Sequence, residues 1–97
     1  MKTLPFDTKK LIDICHQNDV AMVGIFGSAA RGEATDDSDI DLLVEFSKRK
    51  SLLALVALER QLSEALGKKV DLITEAGISP YLRDRIKRDL RVIYAAR

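Results

Sequence analysis

The sequence predicts an α/β (α+β) domain, a small mixed β-sheet flanked by helices. Three observations carry that expectation. Short apolar runs that read as strands alternate with segments of helical period. The resulting order, α-β-α-β-α-β-α, shows no internal repeat, linker or composition break. The chain has 97 residues, 46% of them hydrophobic, which suits one modest core and a single domain over 1–97.

Taken in order, Asp7 to Asn18 reads as a first helix, with Asp7 as N-cap, Leu11, Ile12, Ile14 and Cys15 as its apolar residues and Asn18 as its end. Val20–Phe26 is a short apolar run, hence a buried strand. Gly27-Ser28-Ala29-Ala30-Arg31-Gly32 breaks it, with Ser28 placed to cap a very short helix. Glu33 to Ser38 is polar and loop-like. Ile40–Phe46 is a second strand. Ser51 to Leu66 is the clearest helix, because Leu52, Leu55, Leu58 or Glu59, Leu62 and Leu66 recur at three- and four-residue steps and Gly67 follows. Lys69 to Thr74 is a third strand. Pro80 behind Ser79 opens a last helix. Arg91 to Ala95 fits either the end of that helix or a fourth, edge strand.

Composition removes several classes. The apolar fraction is too high for disorder, and five Gly plus two Pro are too few for a low-complexity chain. The longest apolar stretch, Val20 to Gly27, is far below the roughly 18 residues of a membrane span, and Met1–Pro5 lacks a secretory h-region. Cys15 is the single cysteine, so no intrachain disulfide forms and a reducing cytoplasm is the expected setting. The formal charge of +1 conceals an uneven distribution. Glu33, Asp36, Asp37, Asp39, Asp41 and Glu45 fall in one stretch without a base, whereas the chain from Ser47 onward has a surplus of bases. An acidic cluster beside a basic half suits a site that takes divalent cations and polyanions together.

Three features point to chemistry. Gly27-Ser28 sits at a strand-to-helix transition, where a glycine permits a sharp turn, the following N–H groups are free and a hydroxyl is at hand for phosphate. Read alone, it is also an ordinary helix start. Asp39 and Asp41 stand at the entrance of a core strand, at i and i+2, and so face the same way. Two such carboxylates repel each other and are costly to desolvate unless a cation compensates, and a pair of Mg²⁺ ions does so with oxygen ligands. The bland alternative leaves Asp39 as a turn cap and Asp41 alone with a role. Asp71 lies among Val70, Leu72 and Ile73; it is either an edge residue facing water or a third carboxylate directed at the same spot. Together the three features make one device for phosphoryl or nucleotidyl transfer, which needs positioning and charge neutralisation above all.

Gly27-Ser28, ten intervening residues and then Asp39-Ile40-Asp41 resemble the signature of the DNA-polymerase-β-type nucleotidyltransferase superfamily. The longer text, Phe26 through Glu33 and Ser38 through Val44, is similar to its small stand-alone branch, the minimal nucleotidyltransferases (MNT). The likeness runs from about Val20 onward, and Asp71 falls where that family keeps its third carboxylate. The resemblance implies Mg²⁺, two ions by expectation, and ATP as co-substrate. Asp39, Asp41 and Asp71 would be the catalytic and metal-binding residues, and Gly27, Ser28 and Arg31 the nucleotide-binding ones. Many such proteins are encoded beside a HEPN-domain RNase and act as its antitoxin, some by moving AMP from ATP to a tyrosine of the toxin. The expectation is therefore an Mg²⁺-dependent protein adenylyltransferase in hetero-oligomer with a HEPN toxin, its acceptor supplied by the partner. Two alternatives stand beside it: a non-catalytic antitoxin that neutralises by binding, and a nucleotidyltransferase acting on a small molecule or tRNA.

The remaining residues read more plainly. Arg31 either approaches the triphosphate or pairs with Glu33 or Asp37; Ser38 reads as a loop cap, His16 as a solvated helix residue and Cys15 as core. Arg83, Lys87, Arg88 and Arg91 form a basic face without interleaved aromatics, which disfavours direct nucleic-acid binding. Leu52, Leu53, Leu55, Val56 and Leu58 cover more of their helix than one face needs, so part of it reads as a protein interface.

Overall fold

In the computed structural model, which describes residues 6–33 and 39–95, the elements run α1 (Thr8–Gln17), β1 (Val20–Phe26), α2 (Gly27–Ala30), β2 (Ile40–Phe46), α3 (Leu52–Leu66), β3 (Val70–Thr74), a 3-10 turn (Glu75–Gly77), α4 (Pro80–Asp89) and β4 (Arg91–Ala95). Asp36, Asp37 and Ser38 of the expected loop, and the segment Met1–Pro5, lie outside the described residues.

The helix ends follow from side chains that occupy orphan backbone groups. The Asp7 carboxylate accepts the Lys10 N–H at 3.2 Å to start α1, and Asn18 closes it, donating from Nδ2 to the Ile14 carbonyl at 2.8 Å. Ser51 Oγ accepts the Ala54 N–H at 3.1 Å to start α3, and Gly67 ends it at φ 69°. Ser79 caps α4 with Pro80 in the first turn. One expectation fails. Ser28 is not a cap: Phe26 holds the N-cap position without a side-chain bond, and Gly27 is itself the first residue of α2.

The sheet order is β3-β2-β1-β4, with β1 antiparallel to both neighbours and β2 parallel to β3. The parallel pair requires a crossover, and α3 provides it. Arg91–Ala95 is a strand because β1 offers it an edge; Leu90 turns to extended backbone and Tyr94 pairs with Val23. Leu90 also lies against Gly24, where an added Cβ would meet its Cδ1 at 2.7 Å and the Arg91 carbonyl at 3.2 Å, so the glycine leaves room for the close approach of the α4–β4 junction.

One sheet face packs against α1 and α3. Val23, Ile25, Ile40, Leu42 and Val44 meet Leu11, Cys15, Leu58 and Leu62 in a core from which water is excluded. Burial pushes the Cys15 thiol up to about 12, so it packs as an inert apolar group. His16 is exposed, its Nδ1 3.3 Å from the Tyr94 hydroxyl. The apolar stripe of α3 divides: Leu58 and Leu62 enter the core, whereas Leu52 (74% exposed), Leu53 (80%) and Val56 (49%) remain outside. Leu62→Ala should therefore cost about 2–5 kcal/mol in denaturant melts, and Leu53→Ala less than about 0.5 kcal/mol.

The open edge of β3 is occupied by α3 side chains. Ser63 Oγ accepts the Val70 N–H at 3.0 Å and Glu59 Oε2 accepts the Leu72 N–H at 2.9 Å. These bonds hold β3 in register against β2. Among the described residues, no helix is long and apolar enough to cross a membrane.

Candidate active site

Residues that alternate with the core positions face the other side of the sheet. The register pairs Phe26 with Asp41 and Asp41 with Asp71, which sets these three in one row across β1, β2 and β3. Paired residues on neighbouring strands point to the same face, so Asp41 and Asp71 are side by side. Asp39, two residues before Asp41, joins them from just outside β2. Strand register thus sets Asp41 beside Asp71, and the charges of Asp71 and Asp39 both reach Asp41. That adjacency depends on the β2–β3 pairing that Glu59 and Ser63 fix from behind.

The electrostatics record the crowding. Burial, then the charge of Asp71, then that of Asp39 raise the Asp41 carboxyl above its ordinary value, and Arg31 opposes them. Asp39 is 44% exposed and has the Lys69 ammonium at 3.9 Å, a loose surface pair of small energetic weight.

Gly27 has φ +74°, and a Cβ on it would lie 2.5 Å from Asp41 Oδ2. Its role is therefore double. It takes the left-handed conformation and leaves room for the carboxylate that abuts it. Ser28 follows, half-buried, on a turn closed by Arg31 N–H to the Gly27 carbonyl (3.2 Å) and Glu33 N–H to the Ser28 carbonyl (2.9 Å). Arg31 stands between two carboxylates. It donates from Nε to Glu33 at 2.8 Å and from Nη1 to Asp89 of α4 at 2.7 Å, which raises its already high pKa. Asp37, the other partner considered, lies outside the described residues.

Beside this turn is a cavity of about 250 Å³ between the end of β1, α2 and α4. Phe26, Leu82 and Ile86 supply apolar wall; Arg31, Arg85 and Asp89 supply charge.

The donor set fits Mg²⁺ in chemistry: carboxylate oxygens, crowded enough to raise the Asp41 carboxyl above its ordinary value, a strain that a cation would offset. Among the described residues no three His, Cys, Asp or Glu side chains stand close enough together to hold a metal ion by themselves, so any Mg²⁺ here would need substrate oxygens or water as further ligands.

A family model for the nucleotidyltransferase domain matches residues 8–93, which span the sheet, the acidic row and the Gly27 turn. The chain belongs to the nucleotidyltransferase domain family. A protein of Methanocaldococcus jannaschii assigned to the protein adenylyltransferases is 51% identical over 78 residues, 80% of this chain and 84% of its own length. The protein adenylyltransferase MntA of Thermococcus cleftensis is 39% identical over 71 residues, 73% of this chain and 72% of its own. Among solved structures, one assigned as a minimal nucleotidyltransferase superposes with TM-score 0.75 at 38% identity, covering 87% of this chain and 86% of that one. A toxin–antitoxin structure with AMP-PNP gives TM-score 0.82 at 24% identity, over 94% of this chain and 75% of that chain. A complex of an MNT antitoxin with the tri-AMPylated HEPN toxin of Shewanella oneidensis gives 0.72 at 22%, over 92% and 70%. The last two speak for the shared fold.

Several residues at this nucleotidyltransferase site escape a sequence reading. Asp89 borders it, 58 residues from the arginine it holds. Glu59 and Ser63 act at a distance by fixing β3; an acid inside the apolar stripe of α3 is the one local sign of it. Lys69 is part of the third strand in a sequence reading, and only the fold brings it to Asp39.

Proposed function

We propose that this chain moves AMP from ATP to a hydroxyl of a partner protein, a HEPN toxin that it thereby neutralises. The observation that carries the proposal is the cross-strand pair Asp41–Asp71 directly beside Gly27, three features of one transfer site set together by register and close contact. The identity to protein adenylyltransferases over most of the chain supports AMP as the group moved. The likeness of fold to antitoxins bound to their toxins supports the partner.

In this reading Asp39 and Asp41 hold Mg²⁺, which when bound neutralises phosphate charge and polarises the α-phosphorus. The Gly27-Ser28 turn seats the phosphates against β1 and keeps the nucleotide within reach of Asp41. Asp71 accepts the proton of the incoming hydroxyl as its oxygen bonds to the α-phosphorus. The bond to the bridging oxygen of pyrophosphate breaks, and pyrophosphate leaves. The acceptor enters from outside because the chain folds into one small sheet whose site lies at an open face. The use of ATP and a single free, buried cysteine support a cytoplasmic setting for this chemistry.

The test is intact-mass measurement of the partner toxin after incubation with this protein, ATP and Mg²⁺. Mass gains in whole multiples of one AMP group, absent with the Asp39→Asn/Asp41→Asn variant, are expected. An unchanged toxin mass would overturn the proposal. Full neutralisation by the double variant would assign the protein to the antitoxins that act by binding.

A further inference from the structure

The cavity between α2 and α4 opens at Gly27, the residue against which the Asp41 carboxylate rests. Two guanidinium groups border it, and the fold treats them differently. Arg31 is neutralised by Glu33 and Asp89. Arg85 belongs to the same α4 stripe as Leu82, Ile86 and Asp89, and its natural helical partner is Asp89, four residues on. The Asp89 Oδ2 is already bonded to Arg31 at 2.7 Å. Among the described residues Arg85 makes no ion pair or hydrogen bond. An unpaired cation thus borders a cavity beside the phosphate turn, while the acid that would quench it is held by Arg31.

We propose that this cavity takes the terminal phosphates of the nucleoside triphosphate, the pyrophosphate that leaves, and that Arg85 is the binding residue that anchors them. The inference rests on the proposed nucleotide transfer and adds where the polyphosphate lies. Arg85 gives the cavity an unpaired charge for an anion, and the partly exposed apolar wall of Phe26, Leu82 and Ile86 offers that anion no competing acid. Its volume, about 250 Å³, accommodates a diphosphate group without opening the fold. Arg85 also ties the occupancy of the site to α4, which rests on β1 and α2.

The experiment compares binding of AMP-PNP and AMP to the full chain with Mg²⁺ by calorimetry, for the wild type, Arg85→Ala, Arg85→Lys and Arg88→Ala. Arg88→Ala removes the same charge from α4 at an exposed position that does not line the cavity, whereas Arg85, also exposed, does. Arg85→Ala is expected to weaken AMP-PNP by about 10-fold to 100-fold, the worth of one hydrogen bond to a charged group. AMP binding should stay unchanged, Arg85→Lys should recover part of the loss and Arg88→Ala should bind as the wild type. Thermal melts confirm that each variant is folded. Unchanged AMP-PNP binding by Arg85→Ala, or an equal loss in Arg88→Ala, would overturn the inference while leaving the proposed function standing. A wild-type chain that binds neither nucleotide would overturn the proposed function itself.

Discussion

Asp41→Asn is expected to lower AMP transfer by about 10²–10³-fold or more while making the cation-free protein more resistant to heat. The first effect follows from removing an anionic ligand at the point where phosphate charge must be neutralised. The second follows from the sign of the Asp41 shift. Its carboxyl is raised above the ordinary 3.8 by burial and by Asp71 and Asp39, so the folded state disfavours its ionised form. As pH rises from 3.8 through the raised folded value, an ionised Asp41 subtracts stability that the protonated form does not. An amide of the same shape carries no such cost at any pH. Melting temperatures of wild type and Asp41→Asn, measured without divalent cations, should therefore coincide near pH 3–4 and diverge above it, the variant being the more stable. Adding Mg²⁺ should raise the wild type and leave the variant in place. A variant that melts below the wild type at neutral pH would show that Asp41 is a structural residue.

Gly27→Ala should be as damaging to activity, for a reason of shape. The added methyl group is placed 2.5 Å from Asp41 Oδ2, and φ +74° is a conformation that alanine adopts only at a cost. The carboxylate must swing away or the turn must open, and either movement separates the Gly27-Ser28 turn from Asp41. A destabilisation of about 1–3 kcal/mol is expected in denaturant melts, with transfer to the toxin lost below detection. Gly67→Ala is the matched comparison, since Gly67 also has positive φ but has nothing within 4 Å of an added Cβ. It should lose a similar amount of stability and retain transfer. Loss of activity in both would mean that backbone strain alone, and not the contact with Asp41, explains the Gly27 requirement.

The parts of this fold that were legible in the sequence are those fixed by local pattern. β1 and β2 match the runs Val20–Phe26 and Ile40–Phe46 residue for residue, because a buried strand must be apolar throughout on one face and nearly so on the other. Ser51, Ser79 and Asp7 announced their helices because a cap works through its own hydroxyl or carboxylate. Arg91–Ala95 stayed ambiguous because its text suits both a helix end and a strand; the deciding partner, β1, is about seventy residues earlier. Ser28 has the text of a cap but not the position of one, because local pattern does not reveal that the backbone of Gly27 enters the helix first. The acids of the site were visible as misfits in apolar strands. That Asp41 and Asp71 share a row depends on the β2–β3 register, which Glu59 and Ser63 secure through bonds no local window contains. Arg31 shows the same limit: its pairing with Glu33 was foreseeable two residues away, its pairing with Asp89 was not.

β1 lies inside the sheet, with β2 on one side and β4 on the other. β4 leaves the ribosome long after the Gly27 turn and all three acids have been synthesised. Until Arg91–Ala95 arrives, β1 has an exposed edge, and nothing holds Leu90 over Gly24 or Asp89 against Arg31. The long-range closure that completes the sheet also completes the wall of the cavity beside Gly27, so under the proposed function folding and competence for transfer arise in a single late step. A nascent or truncated chain thus carries the whole acidic signature and yet should not spend ATP.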